Sequence, residues 1–251
     1  MKNNKIALEI CAHTLNSAVI AQEGGADRIE LCAAIEIGGI TPSPSTLLEA
    51  RRLLHIDICV LVRPRSGDFC YSDLEFEVLK KDIVFCKEHG MNGVVVGVLK
   101  PNQELDIKRM TELEKLARPM QIACHRAFDR TPDGIKAMEQ LITMGYDRIL
   151  TSGLQNSVGE GKLFLKELIE KAKGRIAIMP GNGVTVENVA DILTVTGAQD
   201  IHMTAKNLII GKQAESEGIS FNMKNALANN YYETDLEQVK QVVEILGKIR
   251  V

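Results

Sequence analysis

Short runs of β-branched and aliphatic residues recur along the whole chain, at 6–11, 28–32, 56–63, 94–99, 121–125, 148–151, 175–179 and 200–203. Each is followed by a segment long enough for a helix, and strand alternating with helix predicts a parallel sheet. In the segment before Gly90, Phe76, Leu79, Ile83 and Cys86 fall on one helical face. Ser72 with Glu75, and Thr234 with Glu237, have the spacing of capping boxes, and Thr131-Pro132 that of an N-cap followed by proline. Gly25, Gly90, Gly145 and Gly197 each precede an even-numbered strand, where a glycine ends the preceding helix.

Four such two-strand units make eight strands. With no linker between them, the simplest solution is one closed α/β barrel, a (β/α)8 TIM barrel covering residues 1–251, with a less diagnostic tail and helix from about 205. An open doubly wound sheet would need a glycine-rich phosphate loop after its first strand, and Cys11-Ala12-His13-Thr14 is not one.

Length, 251 residues, agrees with one such barrel, and 45% hydrophobic with 25% charged residues predicts a packed core. A net charge of −3 argues against nucleic acid as a partner. The absence of a signal-like start or a long apolar stretch predicts a cytoplasmic protein that does not enter a membrane. Six cysteines without C-x-x-C pairs read as thiols.

In these barrels functional residues sit at the C-terminal strand ends, and the unusual residues of this chain concentrate there. Period-two alternation points Glu9 and Cys11 inward from the first strand and Glu30 and Cys32 from the second, leaving Leu8, Ile10, Ile29 and Leu31 for the helix layer. Inward carboxylates need cations, and Arg63 is the expected partner; a buried ion-pair network and a substrate site both fit. Cys11 and Cys32 end neighbouring strands, so their thiolates suit Cu(I), although free cysteines also serve as small core hydrophobes. His125, beside Arg126 and Asp129, is the candidate to titrate near neutral pH as a general acid or base, or else a hydrogen-bonded core histidine. Gly181-Asn182-Gly183-Val184-Thr185 has the position of a phosphate loop, or is a tight turn with an N-cap at Thr185. There is no H-E-x-x-H, P-loop or G-x-S-x-G motif.

The segments GADRIELC from Gly25, GGITPS from Gly38, RPRSGDF from Arg63, HRAFD from His125 and LTSG from Leu150 closely resemble the CutC family over the region through about residue 204. Cys124 departs from the aromatic residue expected before His125. The resemblance implies a cytoplasmic barrel, usually a homo-oligomer (dimer or tetramer), associated with copper homeostasis and copper binding, with Cys11 and Cys32 at the strand ends that make Cu(I) ligation feasible. The alternative is a barrel enzyme acting on a small anionic or phosphorylated metabolite. There His125 moves a proton with help from Glu9 or Glu30, Arg63 and Arg65 hold the anion, and Arg126, Asp129, Ser152, Asn182 and His202 complete the binding set. A third reading is an oligomeric scaffold whose strand-end charges only stabilise the barrel.

Overall fold

The eight barrel strands are buried along nearly their whole length, which a parallel sheet wrapped on its outer face by helices requires. The computed structural model describes residues 5–212 and 230–249. Its strands are β1 (Ala7–Ala12), β2 (Arg28–Leu31), β3 (Asp57–Leu61), β4 (Gly93–Val96), β5 (Gln121–Cys124), β6 (Arg148–Thr151), β7 (Ala177–Pro180) and β8 (Asp200–Met203). They alternate with α1 (Leu15–Glu23), α2 (Pro44–Leu53), α3 (Asp73–Glu88), α4 (Ile107–Ala117), α5 (Gly134–Met144), α6 (Val158–Ala172) and α7 (Val189–Thr196). A short antiparallel pair, β9 (Lys206–Ile209) and β10 (Tyr231–Thr234), then leads to α8 (Leu236–Lys248).

The parallel ladder runs β7-β6-β5-β4-β3-β2-β1-β8. β7 and β8, the two ends of this ladder, lie side by side without pairing to each other, so the barrel is nearly closed. Among the described residues no helix is long and apolar enough to cross a membrane.

Strand alternation separates two apolar layers, as expected. Leu8, Ile10, Ile29 and Leu31 join the large core beneath the helices, whereas Cys11, Cys32, Cys59, Leu61, Val95 and Ala123 form a small cluster inside the barrel. Charged side chains occupy much of the remaining interior. Arg28 Nε donates to Glu9 Oε2 at 2.6 Å, and its Nη2 reaches Asp200 Oδ1 at 2.5 Å and Met179 Sδ at 3.1 Å. One guanidinium therefore links β2 to β1, β8 and β7, across the seam that the ladder leaves open. The partner of Glu9 is thus Arg28 and not Arg63, because Arg28 is the direct register neighbour of Glu9, while Arg63 lies beyond the end of β3.

Helix ends follow simple chemistry, with some shifts from expectation. The Ser72–Glu75 capping box is present. Thr234 belongs to β10, and Asp235 instead accepts the first-turn N–H of Gln238. Thr131 likewise caps no helix: its hydroxyl donates to the Phe128 carbonyl, and Asp133 is the N-cap of α5. Thr185 is not the N-cap of α7, which starts after Asn188; the Asn188 carboxamide accepts the Thr185 N–H.

Replacing Arg28 with Met should remove the cation from buried Glu9 and half-buried Asp200 and lower unfolding stability by about 3–5 kcal/mol. Urea denaturation measures it, and adding Glu9→Gln to Arg28→Met should recover part of the loss. A single-variant loss below about 1 kcal/mol, as for an exposed pair, would show that the ion network does not hold the seam.

Candidate functional site

Register decides which side chains meet at the C-terminal mouth. Cys11 stands opposite Glu30 across β1 and β2, and Glu9 stands opposite His202 across β1 and β8. Since all four point inward, neighbouring strands deliver a carboxylate, a thiol, a second carboxylate and an imidazole to one face. Cys32, one residue beyond β2, adds a second thiol, 3.7 Å from that of Cys11. Cys11 Sγ also lies 3.9 Å from Glu30 Oε1, and ligand atoms of Cys11, Glu30 and His202 all fall within 4.8 Å of one another. This cluster borders a cavity of 640 Å³ at the barrel mouth, lined also by Arg63, His125 and Asn182. An open groove of 680 Å³ between α3 and α4 lies on the outer faces of the helices, away from the strand ends.

The electrostatics of the cluster radiate from Glu9. Burial would raise its carboxyl, but the Arg28 guanidinium and the His202 ring, whose Nδ1 is 2.7 Å from Glu9 Oε1, hold it well below the usual carboxylate range. Burial would discharge His202, but its contacts with Cys11 and Glu9 and the charge of Glu30 push its pKa well above the ordinary value. His202 is therefore the imidazolium partner of Glu9. Among the described residues Glu30 has no cation in such contact: burial raises it to about 7, with Glu9 adding to the shift and His202 opposing it. The Cys11 thiol is pushed up by its hydrogen bond to Cys32 and by burial.

His125 behaves differently from expectation. Burial and the Arg63 charge push its pKa down to about 3, so it does not titrate near neutral pH. Its Nδ1 accepts the Ala127 N–H at 3.0 Å, which leaves the proton of the neutral ring on Nε2. Gly97 permits this seat, since a Cβ there would fall 2.5 Å from the imidazole Cε1.

The other predicted residues separate into those facing the cavity and those bracing it. Arg63 lines the cavity while donating to the carbonyls of Gly38, Gly39 and Gly67 at 3.1, 2.9 and 2.9 Å. Arg65 is not among the lining residues; it pairs with Glu75 at 2.5 Å and Asp68 at 3.0 Å. Asp129 accepts the N–H groups of Ser152 and Leu154 at 3.1 and 3.2 Å and pairs with Arg126 at 2.8 Å, tying together the loops after β5 and β6. Ser152 is fully buried in that brace, with its hydroxyl donating to the Gln155 carbonyl at 2.6 Å. Asn182, at φ 73°, faces the cavity and donates to the Asn156 carbonyl at 2.5 Å.

Arg28 and Phe69 were not singled out by sequence reasoning. The alternation that turns Glu30 inward turns Arg28 inward as well, so that signal was available. Phe69, on the loop after β3, carried no such signal; its ring centroid lies 4.9 Å from that of His125 and 5.2 Å from Arg63 Cζ.

A family model described as the CutC family matches residues 6–207. A CutC family protein of Parabacteroides distasonis is 42% identical over 243 residues, covering 95% of this chain and 100% of its own length. The human copper homeostasis protein cutC homolog is 44% identical over 204 residues, covering 81% of this chain and 75% of its own. The crystal structure of a CutC protein from Streptococcus agalactiae superposes with a TM-score of 0.76 at 35% identity, covering 79% of this chain and 98% of that one. A thiamine phosphate pyrophosphorylase of Pyrococcus furiosus, at 14% identity and a TM-score of 0.60, covering 98% of each chain, shares the fold.

The folded pKa of His125, about 3, lies below its ordinary 6.5, so the folded protein refuses a proton that the unfolded chain accepts. This contribution to stability is intact above pH 6.5 and is lost as pH falls toward 3. Relative to His125→Phe, the wild type should lose about 1.4 kcal/mol per pH unit below that point in urea unfolding. Parallel pH profiles for the two proteins would contradict the buried neutral imidazole.

Proposed function

The chain belongs to the CutC family, and on that premise we propose that it serves copper homeostasis by binding Cu(I) through the thiolates of Cys11 and Cys32. The observation that carries this reading is the pair of sulfurs 3.7 Å apart inside the barrel mouth. Two sulfurs each ~2.3 Å from one ion are ~3.8 Å apart at a bond angle of ~110°, so the pair as it stands suits a single metal that takes a further donor. Thiolates are the ligands that a soft monovalent ion prefers over carboxylates.

His202 is the neighbour suited to be that donor. Glu9 holds its Nδ1, so the other ring nitrogen is available once its proton is displaced, in the carboxylate–histidine arrangement common behind metal ligands. Glu30 is a hard oxygen donor whose carboxyl burial raises to about 7, and its part is to lower the charge beside the sulfurs. The reading places the protein in the cytoplasm, where its thiols stay reduced, as a dimer or tetramer of identical chains.

Anaerobic titration of the reduced protein with Cu(I) against a calibrated chelator should give one tight site per chain. Cys11→Ser and Cys32→Ser should each weaken it at least about 100-fold, roughly 2.7 kcal/mol. Affinity indifferent to both substitutions would sink the reading. Because the protons of the thiols and of the His202 ring must leave on binding, the affinity should also rise by more than about tenfold per pH unit between pH 6 and 8. A flat profile over that range would place the metal elsewhere.

A further inference from the structure

Copper ligation leaves His125 and Arg63 without a purpose. Buried polar atoms in folded proteins nearly always have hydrogen-bond partners, and exceptions call for an explanation. Among the described residues, three that line this cavity each carry a buried polar atom without one: His125 Nε2, Arg63 Nε and Glu30 Oε2. His125 and Arg63 are only 5% and 6% exposed. Both of their unpartnered atoms are donors. Arg63 Nε always carries its hydrogen, and His125 Nε2 carries the ring proton because Nδ1 is occupied by the Ala127 N–H.

Two unused donors, one of them cationic, on one cavity wall describe a seat for a negatively charged oxygen. Arg130 and Lys206 add positive charge to the lining. The one carboxylate near His125 in sequence, Asp129, is engaged by the Ser152 and Leu154 N–H groups and by Arg126. The Phe69 ring rests against both donor side chains, on a loop whose backbone is tied by the Leu99 N–H to the Phe69 carbonyl at 2.9 Å. The cavity volume of 640 Å³ falls in the range of about 300–1,000 Å³ typical of small-molecule sites, far beyond the needs of one ion.

We propose that this cavity is a binding site for a small organic oxyanion, whose carboxylate or phosphate oxygen accepts from His125 Nε2–H and Arg63 Nε–H after displacing Phe69. Glu30 Oε2 meets a hydroxyl of the same molecule. The proposal goes beyond the copper reading and is independent of it, since neither His125 nor Arg63 is among the metal donors.

The test is a titration of the full chain, with its histidines ¹⁵N-labelled, by inorganic phosphate and separately by glycolate, a hydroxylated carboxylate. The His125 Nε2–H resonance should shift with millimolar dissociation constants, and the anion acting at lower concentration identifies the oxyanion class. Arg63→Met should weaken binding at least tenfold, whereas Phe69→Ala should bind at least as tightly as wild type. Arg63 also braces the loops after β2 and β3, so His125→Phe, which keeps the ring volume, provides a second variant, read by calorimetry and also expected to lose at least tenfold. No response to either anion at about 100 mM, a hundredfold beyond a Kd of about 1 mM, would overturn the proposal. So would affinities unchanged in both Arg63→Met and His125→Phe, which would leave the donors satisfied by the Phe69 ring.

Discussion

A carboxylate with almost no access to water is the constraint around which this barrel is arranged. Glu9 is 1% exposed, and burying an ion there is tolerable only because Arg28 and His202 approach its two oxygens at 2.6 and 2.7 Å. Arg28 carries the compensation toward the bottom of the barrel and across the β7–β8 seam. His202 carries it upward, to the side of Cys11. Closure of the barrel and orientation of the site therefore share one buried charge.

The position of the thiols follows from that arrangement. Before any metal binds, a cationic imidazole beside Cys11 favours the thiolate form of that residue against the burial that opposes it. Burial raises the Glu30 carboxyl to about 7, which lowers the charge of a second carboxylate at the same level. The far side of the mouth is built on the opposite principle. His125 is held uncharged against Phe69 and next to a fixed guanidinium, so its Nε2 keeps a buried, unpartnered hydrogen among the described residues and the ring takes no part in proton exchange at ordinary pH.

Much of this was legible before any coordinates. The eight strands, their parity and the inward set of Glu9, Cys11, Glu30 and Cys32 follow from period-two alternation, because a strand buried on one side by helices has no freedom to rotate its faces. Strand ends were less legible: β3 stops at Leu61, where the chain leaves the ladder for an arginine-rich loop. Partner choice was the least legible part. Assigning Arg63 to Glu9 ignored the stagger between neighbouring strands, which sets Arg28 directly opposite Glu9. The protonation of His125 was equally hidden, because it depends on a backbone N–H two residues later that folds back onto its ring. His202 was recognisable as a strand-eight residue, but its place beside Cys11 depends on β8 returning to pair with β1.

The central claim is that two sulfurs from adjacent strands, backed by a histidine that Glu9 orients, form one soft-metal site. X-ray absorption at the copper edge of Cu(I)-loaded protein addresses it directly, since sulfur and nitrogen scatterers are distinguished by distance. The account predicts two sulfur neighbours at ~2.3 Å with one nitrogen at ~2.0 Å, the nitrogen disappearing in His202→Phe while both sulfurs remain. A first shell with no sulfur, or with only one, would contradict it.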